Sequence, residues 1–139
     1  MLYRITRKFD AAHWLLNYDG PCKNLHGHTW KIQFEIRFSH LKKLDDSGIG
    51  VDFKLLKTEL DKILPDHDCL NQVFCRTMES EVSPSAENLA TWIFKKAQKM
   101  LAIKFGLDLF MVELWESDDC SVTATKTDMI LRNLKEGGE

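Results

Sequence analysis

Residues 26–38 read HGHTWKIQFEIRF, and they contain the clearest structural pattern in the chain. From Trp30 onward apolar and polar residues alternate, which is the period of a β-strand with one buried and one solvated face. Because residues i and i+2 of a strand point to the same side, His26 and His28 continue the apolar face of Trp30. The pattern therefore predicts a strand that carries two imidazoles on its buried face.

Three further strands are predicted on either side of this stretch. Residues 2–13 form an N-terminal strand whose apolar face ends in His13. Alternating apolar and β-branched residues predict two more strands, at about 109–116 and at 121–127. The sheet is therefore expected to contain four strands, two from each end of the chain.

Two helices are predicted between the strand pairs. Asp52 is a helix N-cap, and the helix it starts ends before Pro65. Ser83 followed by Pro84 is typical of an N-cap with proline at the first helical position, and Gly106 is a C-terminal stop for that second helix. The segment 66–82 between the helices is predicted to be irregular.

The order β-β-α-α-β-β predicts an α+β fold. In such a fold a four-stranded antiparallel sheet carries both helices on its apolar face. The length fits one domain that covers residues 1–139. A four-stranded sheet has two open edges, and open edges favour pairing with another copy, so we expect a homo-oligomer.

The composition excludes several classes of protein. There are 19 Lys and Arg against 21 Asp and Glu, and 44% of the residues are hydrophobic, which is ordinary for a globular chain and excludes a disordered one. Without a long basic run, the chain is a poor candidate for binding nucleic acid. No run approaches the ~20 apolar residues that span a bilayer, and the N-terminus lacks a signal core. We therefore expect a cytoplasmic protein without a membrane partner. No two cysteines form a C-x-x-C pair, so no disulfide framework is predicted.

Three histidines share the predicted buried face. His13 ends the first strand, and His26 and His28 begin the second, so the three imidazoles can converge on one point. Three His ligands with an open fourth position describe a catalytic Zn²⁺ site. The alternative is a satisfied core histidine beside an incidental H-x-H pair.

Cys22, Asp66 and His67 are weaker candidates. Cys22 lies four residues before His26, and three interpretations stay open: a small apolar residue in a loop, a thiolate that acts as base or nucleophile, or a further zinc ligand. The Asp66–His67 pair could serve proton transfer, since a carboxylate can orient an imidazole, or it could be a solvated turn.

Glu116 ends the apolar row of the third strand. A carboxylate in that position needs water or a polar partner. It either reaches water at the strand end or accepts two N–H donors from a flat heterocycle. The position of Glu116 in the strand alternation does not by itself distinguish these two interpretations.

Six blocks of sequence, taken in this order, resemble the 6-pyruvoyl-tetrahydropterin synthase / 6-carboxytetrahydropterin synthase family. The blocks are FDAAH (9–13), CKNLHGH (22–28), GVDF (50–53), DHDCLN (66–71), PSAENL (84–89) and WES (115–117). The resemblance covers the chain from residue 9 to about residue 117. It implies the tunnelling fold (T-fold), in which trimers close their sheets into a barrel and two trimers usually form a hexamer.

The resemblance also implies a cofactor and a substrate. Zn²⁺ would be held by His13, His26 and His28, the positions that match the family's three histidines. The substrate would be the small molecule 7,8-dihydroneopterin triphosphate, whose side-chain hydroxyls meet the metal.

The family's catalytic positions fall on the remaining candidates. By resemblance, Cys22 takes a proton from the substrate side chain, and Asp66 with His67 forms a proton relay with Cys22. The family's pterin-anchoring glutamate falls on Glu116. Asp10 stands where many relatives carry Ser.

The spacing C-x-x-x-H-G-H looks like that of the bacterial 6-carboxy-5,6,7,8-tetrahydropterin synthases of the queuosine pathway. This implies a zinc-dependent carbon–carbon lyase that releases 6-carboxytetrahydropterin, acetaldehyde and triphosphate. Two alternatives stay open, a 6-pyruvoyl-tetrahydropterin synthase and a non-catalytic zinc- or pterin-binding module. Lys23, Lys31 and Arg37 are triphosphate candidates by position only, and alternation turns Lys31 and Arg37 away from the histidines.

Overall fold

The computed structural model describes residues 1–38, 44–78 and 81–136. Its strands are β1 (Leu2–His13), β2 (His26–Arg37), β3 (Asp68–Cys69), β4 (Asp108–Trp115) and β5 (Ser121–Thr125). Its α-helices are α1 (Phe53–Asp61), α2 (Leu70–Thr77), α3 (Ala86–Phe105) and α4 (Lys126–Glu136), and a short 3₁₀ helix covers Pro21–Lys23. Within these ranges, no helix has both the length and the apolar character required to cross a bilayer.

The sheet has the strand order β3-β1-β2-β4-β5. β1 pairs with β2 along its whole length, and the β2–β4 and β4–β5 pairs are also antiparallel. The predicted α+β fold with an antiparallel sheet is therefore confirmed. The strand count is corrected by β3, which joins β1 in parallel through Ala11 with Asp68 and Ala12 with Cys69. A strand of two residues is too short to show alternation, so the sequence pattern could not reveal it.

The helix count also changes, because segment 66–82 contains α2 as well as β3. Leu70, Val73 and Phe74 are buried at helical spacing, which holds α2 against the core. The residue at its N-cap, Cys69, makes no side-chain capping bond, so the usual start signal is absent.

The C-terminal helix α4 was not predicted either. The fourth strand was expected to run to residue 127, but β5 ends at Thr125. There the backbone N–H and the hydroxyl of Thr125 both donate to Asp128 Oδ2, at 2.8 and 2.7 Å. This local side-chain hydrogen bonding competes with strand continuation and starts the helix.

The long helix α3 starts two residues later than predicted. Ser85 is its N-cap and accepts from the N–H of Asn88, whereas the Ser83 hydroxyl accepts from the N–H of Leu16 at 3.0 Å. Gly106 ends α3 in the left-handed region, with φ 58°, as the sequence predicts. The Asp52 cap of α1 is confirmed, because its side chain accepts from the N–H groups of Lys54 and Leu55.

The core lies between one face of the sheet, here called the inner face, and the helices. Both predicted helices contribute to this one core, as the burial of Leu60 and Ile93 illustrates. Phe9 and Trp30 face each other across β1 and β2, with ring centroids 6.3 Å apart. Burial of each large side chain of this kind contributes about 1.5–3 kcal/mol. The histidines lie farther along the same face of β1 and β2, with Ala11 between Phe9 and His13 on β1, so the candidate site sits at the rim of the core.

Candidate metal centre and its neighbouring cleft

His13, His26 and His28 form one group, here called the histidine cluster. The β1–β2 register places His13 opposite His26, and His28 lies opposite Ala11 on the same face. The ring centroids are 4.6 to 5.2 Å apart, and one nitrogen of each ring lies within 4.8 Å of the others. The predicted convergence of the three imidazoles is thus observed.

Backbone carbonyls orient two of the rings. His13 Nδ1 donates to the Pro84 carbonyl at 2.8 Å, and His26 Nδ1 donates to the Asn24 carbonyl at 2.7 Å. A carbonyl only accepts, so in the neutral rings the proton sits on Nδ1 and the Nε2 lone pair stays free. This arrangement is typical of histidines that bind a metal through Nε2.

The Nε2 atoms of all three histidines are buried and have no hydrogen-bond partner. Burial lowers the pKa of His13 and of His28, which favours neutral rings whose Nε2 atoms can accept a cation. Buried polar atoms left without partners are costly and rare in native proteins. A divalent metal ion would satisfy all three at once, so these residues fit a metal site.

Glu116 extends this group from the end of β4. Its Oε1 atom lies 3.5 Å from His13 Nε2 and 3.7 Å from His28 Nε2. The same side chain lines a cleft of about 280 Å³, here called the Glu116 cleft, together with Ser85, Glu87 and Ser121. Glu116 therefore faces both the histidine cluster and an open cleft large enough for part of a small molecule. Sequence reasoning placed Glu87 only within a resembling block, and nothing in its spacing indicated that it lines this cleft.

Cys22 lies in the 3₁₀ helix of the loop between β1 and β2. Its carbonyl accepts from the N–H of Leu15 at 2.8 Å, which ties this loop to the end of β1. The thiol is half-buried and is not among the atoms that lie within 4.8 Å of one another in the histidine cluster. The structure therefore gives no support to Cys22 as a further ligand of the cluster.

Asp66 and His67 form a hydrogen-bonded pair just before β3. The Asp66 carboxylate contacts His67 Nδ1 at 3.0 Å and accepts from the N–H of Asp10 at 2.8 Å. The bond from the Asp10 amide, followed by that from His67, lowers the pKa of Asp66. His67 has a positive φ of 59°, which costs roughly 1 kcal/mol or more in a residue other than glycine. The bond from its N–H to the Asp10 carbonyl, at 2.6 Å, stabilises that conformation.

The Asp66–His67 pair lies on the other side of the sheet from the histidine cluster. Asp10 and Thr29 are opposite each other on β1 and β2, and their parity places them on the face away from the core, here called the outer face. His67 lines a hollow of about 440 Å³ together with these two residues and with Gly27 and His28 of β2. Among the described residues, no hydrogen bond links the Cys22 thiol to Asp66 or His67.

The remaining cationic candidates also separate by face. Lys31 Nζ lies 3.9 Å from the centroid of the Trp115 ring, and the Arg37 guanidinium lies over the Phe110 ring. Both residues have the outer-face parity that alternation predicted. Lys23 is exposed in the Cys22 loop.

A larger cleft, of about 710 Å³, lies elsewhere. It is lined by residues of the β1 end, of α2 and of the segment before α3, including Trp14, Leu16, Asn71, Cys75 and Met78. None of the candidate site residues lines it. The chemistry of the Glu116 cleft, and not cavity size, therefore identifies the candidate site.

Comparison with known proteins places the chain in a family. Residues 3–127 match the sequence profile described as 6-pyruvoyl tetrahydropterin synthase. A 6-carboxy-5,6,7,8-tetrahydropterin synthase from Synechocystis is 33% identical over 92 residues, which are 66% of this chain and 70% of that protein. A dihydroneopterin monophosphate aldolase from Pyrococcus furiosus is 30% identical over 124 residues, 88% of this chain and 93% of that one.

A solved structure gives the fold. The 6-pyruvoyl tetrahydropterin synthase of Caenorhabditis elegans superposes with a TM-score of 0.71 at 22% identity, over 90% of this chain and 94% of that chain. The fold is therefore the tunnelling fold of these pterin synthases, with β3, α2 and α4 in addition to the predicted elements. Because the family profile covers nearly the whole chain, this protein belongs to the 6-pyruvoyl tetrahydropterin synthase family.

Proposed function

We propose that this chain is a zinc-dependent 6-carboxy-5,6,7,8-tetrahydropterin synthase. It would convert 7,8-dihydroneopterin triphosphate to 6-carboxytetrahydropterin, acetaldehyde and triphosphate in queuosine biosynthesis, as one cytoplasmic domain. The observation that carries the proposal is the set of three buried, unpartnered Nε2 atoms beside a carboxylate-lined cleft. The Synechocystis relative and the C-x-x-x-H-G-H spacing favour this member of the family.

His13, His26 and His28 would hold the metal. Zn²⁺ bound there acts as a Lewis acid on the oxygens of a substrate side chain. The protein's own contribution is to present three neutral nitrogens, two of them oriented by the carbonyls of Pro84 and Asn24.

Glu116 would recognise the pterin ring. A carboxylate offers two oxygens in one plane, and these match two adjacent N–H donors of a flat heterocycle. Because Glu116 lies in the cleft next to the histidine cluster, a ring bound to it would have its side chain directed toward the metal ligands.

Cys22, Asp66 and His67 would move protons. Cys22 takes a proton from the substrate side chain, and the Asp66–His67 pair exchanges it, with Asp66 fixing Nδ1 of the imidazole. The pair lies on the outer face, and Cys22 lies in a loop that makes no bond to it. We therefore infer that the pair acts on the Cys22 of another copy within a homo-oligomer, built from trimers and most simply a hexamer.

The test is to supply zinc-loaded protein with 7,8-dihydroneopterin triphosphate and to assay acetaldehyde together with the pterin product. Acetaldehyde with 6-carboxytetrahydropterin is the expected result. A pyruvoyl product without acetaldehyde would instead establish the 6-pyruvoyl-tetrahydropterin synthase reaction. Binding of the pterin without turnover would establish a binding module.

A second candidate reaction follows from the Pyrococcus relative, which matches more of this chain than the Synechocystis relative does. Its name specifies a dihydroneopterin monophosphate as the substrate. A parallel assay with 7,8-dihydroneopterin monophosphate distinguishes the two reactions. Turnover of the monophosphate in preference to the triphosphate would overturn the synthase proposal.

A further inference from the structure

Glu116 and the histidine cluster make a contact that a hydrogen bond does not explain. The Oε1 atom lies 3.5 Å from His13 Nε2 and 3.7 Å from His28 Nε2, and both distances exceed the usual 2.7–3.2 Å range of a hydrogen bond with a nitrogen donor. Neither Nε2 atom has a hydrogen-bond partner. The contact therefore needs another physical cause.

The protonation of His13 makes the contact more unusual. Its Nδ1–H donates to the Pro84 carbonyl, so Nε2 of the neutral ring presents a lone pair toward Glu116. A carboxylate oxygen also presents lone pairs. Two acceptors that face each other at this distance repel unless a cation lies between them.

The distances suit shared coordination of one metal ion. Ligand atoms about 2.1 Å from a tetrahedral ion lie roughly 3.4 Å from one another. The Glu116 Oε1 atom stands close to this separation from two of the three histidine nitrogens. Carboxylate oxygen is also an ordinary ligand of Zn²⁺.

We propose that Glu116 is a removable fourth ligand of the metal, which leaves the ion when a pterin ring enters the Glu116 cleft and binds the same carboxylate. The side chain sits at a strand end and is 37% exposed, so it can turn between the cluster and the cleft without disturbing the core. Before substrate binds, the carboxylate closes the fourth position. Substrate entry then opens that position only when the pterin is in place.

This proposal rests on the proposed function for its second half, the exchange with a pterin. Its first half, ligation by Glu116, is independent of any reaction. Metal affinity and metal spectroscopy test the first half, and the product assay tests the reaction. The two failures are therefore distinguishable.

The first experiment measures metal affinity of the full chain by competition with a chromophoric chelator, without pterin. Glu116→Gln should weaken Zn²⁺ binding by at least about 10-fold, because loss of a residue that only supports a ligand already costs roughly 10- to 100-fold. Glu87→Gln is the matched control, because Glu87 lines the same cleft and makes no ion pair with the cluster in the structure. Unchanged affinity in Glu116→Gln, with a melting temperature equal to wild type, would overturn the proposal.

The second experiment uses Co²⁺-loaded protein and neopterin as the probe. The visible absorption of Co²⁺ reports its ligand set, so neopterin should change the wild-type spectrum, and Glu116→Gln should differ from wild type before neopterin is added. If neopterin leaves the wild-type spectrum unchanged at concentrations that saturate its binding, Glu116 stays on the metal and the exchange is wrong. If neopterin does not bind at all, the exchange is equally wrong. An altered spectrum with no product in the turnover assay would preserve the exchange and reject only the reaction.

Discussion

The ionisable residues on the two faces of the sheet differ in burial and in hydrogen bonding. On the inner face, the three histidines present buried Nε2 atoms without hydrogen-bond partners. On the outer face, Asp66 and His67 are exposed, and the Asp66 carboxylate is already bonded to the Asp10 amide and to the imidazole. The inner group needs a cation to satisfy its nitrogens, whereas the outer pair is satisfied by the chain itself.

This difference separates two kinds of functional site. An unsatisfied buried group is tolerated where a bound ion supplies the missing interaction. A preformed and exposed hydrogen-bonded pair costs little to keep, and it presents its imidazole to whatever approaches the outer face. The inner group is thus suited to hold an ion, and the outer pair is suited to exchange protons with a group from outside its own chain.

The largest expected effect is on the inner face. His28→Ala should reduce bound metal from stoichiometric to near zero and should abolish turnover. This loss of metal affinity is greater than the roughly 10- to 100-fold loss expected when a residue that only hydrogen-bonds to a ligand is removed. Elemental analysis of the purified variant measures the metal directly. His67→Ala is the matched control on the outer face, and it should retain the metal in full. Equal metal loss in both variants would contradict the division between the faces.

The inner cluster could be predicted from the sequence because strand alternation is a strict geometric rule. His13, His26 and His28 lie on positions whose parity is fixed by Phe9 and Trp30, so their convergence follows from the pairing of two strands. The contact of Glu116 with the cluster could not be predicted in this way. It depends on the register of β4 and on a side-chain rotation at the strand end, and parity specifies neither.

The next-largest expected effect tests whether the Asp66–His67 pair of one protomer acts on the Cys22 of another protomer. Cys22→Ala and His67→Ala should each lower kcat by about 10²- to 10⁴-fold, the usual range for loss of a proton-transfer group. If the pair acts on the Cys22 of another copy, dissociating and reassembling the two variants together should restore about one quarter of the sites, because each copy contributes its group independently. Acetaldehyde release from the mixture measures the recovery. Recovery that stays at the level of the separate variants would show that each chain supplies its own complete site.

The two faces should also lose stability in different pH ranges. In metal-free protein, burial lowers the pKa of His13 and His28. Their contribution to folding stability is therefore complete above the unfolded-state pKa of about 6.5, and it is lost as pH falls below that value. The hydrogen bond from the Asp10 amide lowers the pKa of Asp66. The contribution of Asp66 to folding stability is therefore lost only in acid, as pH falls from the unfolded-state pKa of about 3.9 through the pKa in the folded protein. Thermal melting from pH 8 to pH 3 should show the two steps. Asp66→Asn should remove part of the acid step and leave the step near pH 6.5 unchanged.

The fold was predictable where elements are long and regular, and it was not where they are short. β2 and α3 have enough residues for their periods to be read, and Gly106 marks the end of α3. β3 has two residues and α2 has eight, so their placement depends on tertiary contacts such as the pairing of Ala11 with Asp68. That dependence explains why the Asp66–His67 pair could be named from the sequence but could not be assigned to the outer face.

The smallest expected effect concerns Asn71, a residue that joins the two regions. Its side chain accepts from the N–H of Trp14 at 3.0 Å and donates to the Trp14 carbonyl at 2.9 Å, so α2, which follows the Asp66–His67 pair, is tied to the residue after His13. Asn71→Ala leaves the half-buried N–H and carbonyl of Trp14 without this partner, and it should lower the free energy of unfolding by about 1–3 kcal/mol. That loss corresponds to roughly 3–6 °C in Tm for each kcal/mol in a domain of this size. Asn71→Asp keeps the acceptor and loses the donor, so its Tm should fall between those of wild type and Asn71→Ala. Since the histidine rings are oriented by Pro84 and Asn24 instead, metal affinity should stay at the wild-type value in both variants, and a parallel loss of metal would show that the outer region positions the inner one.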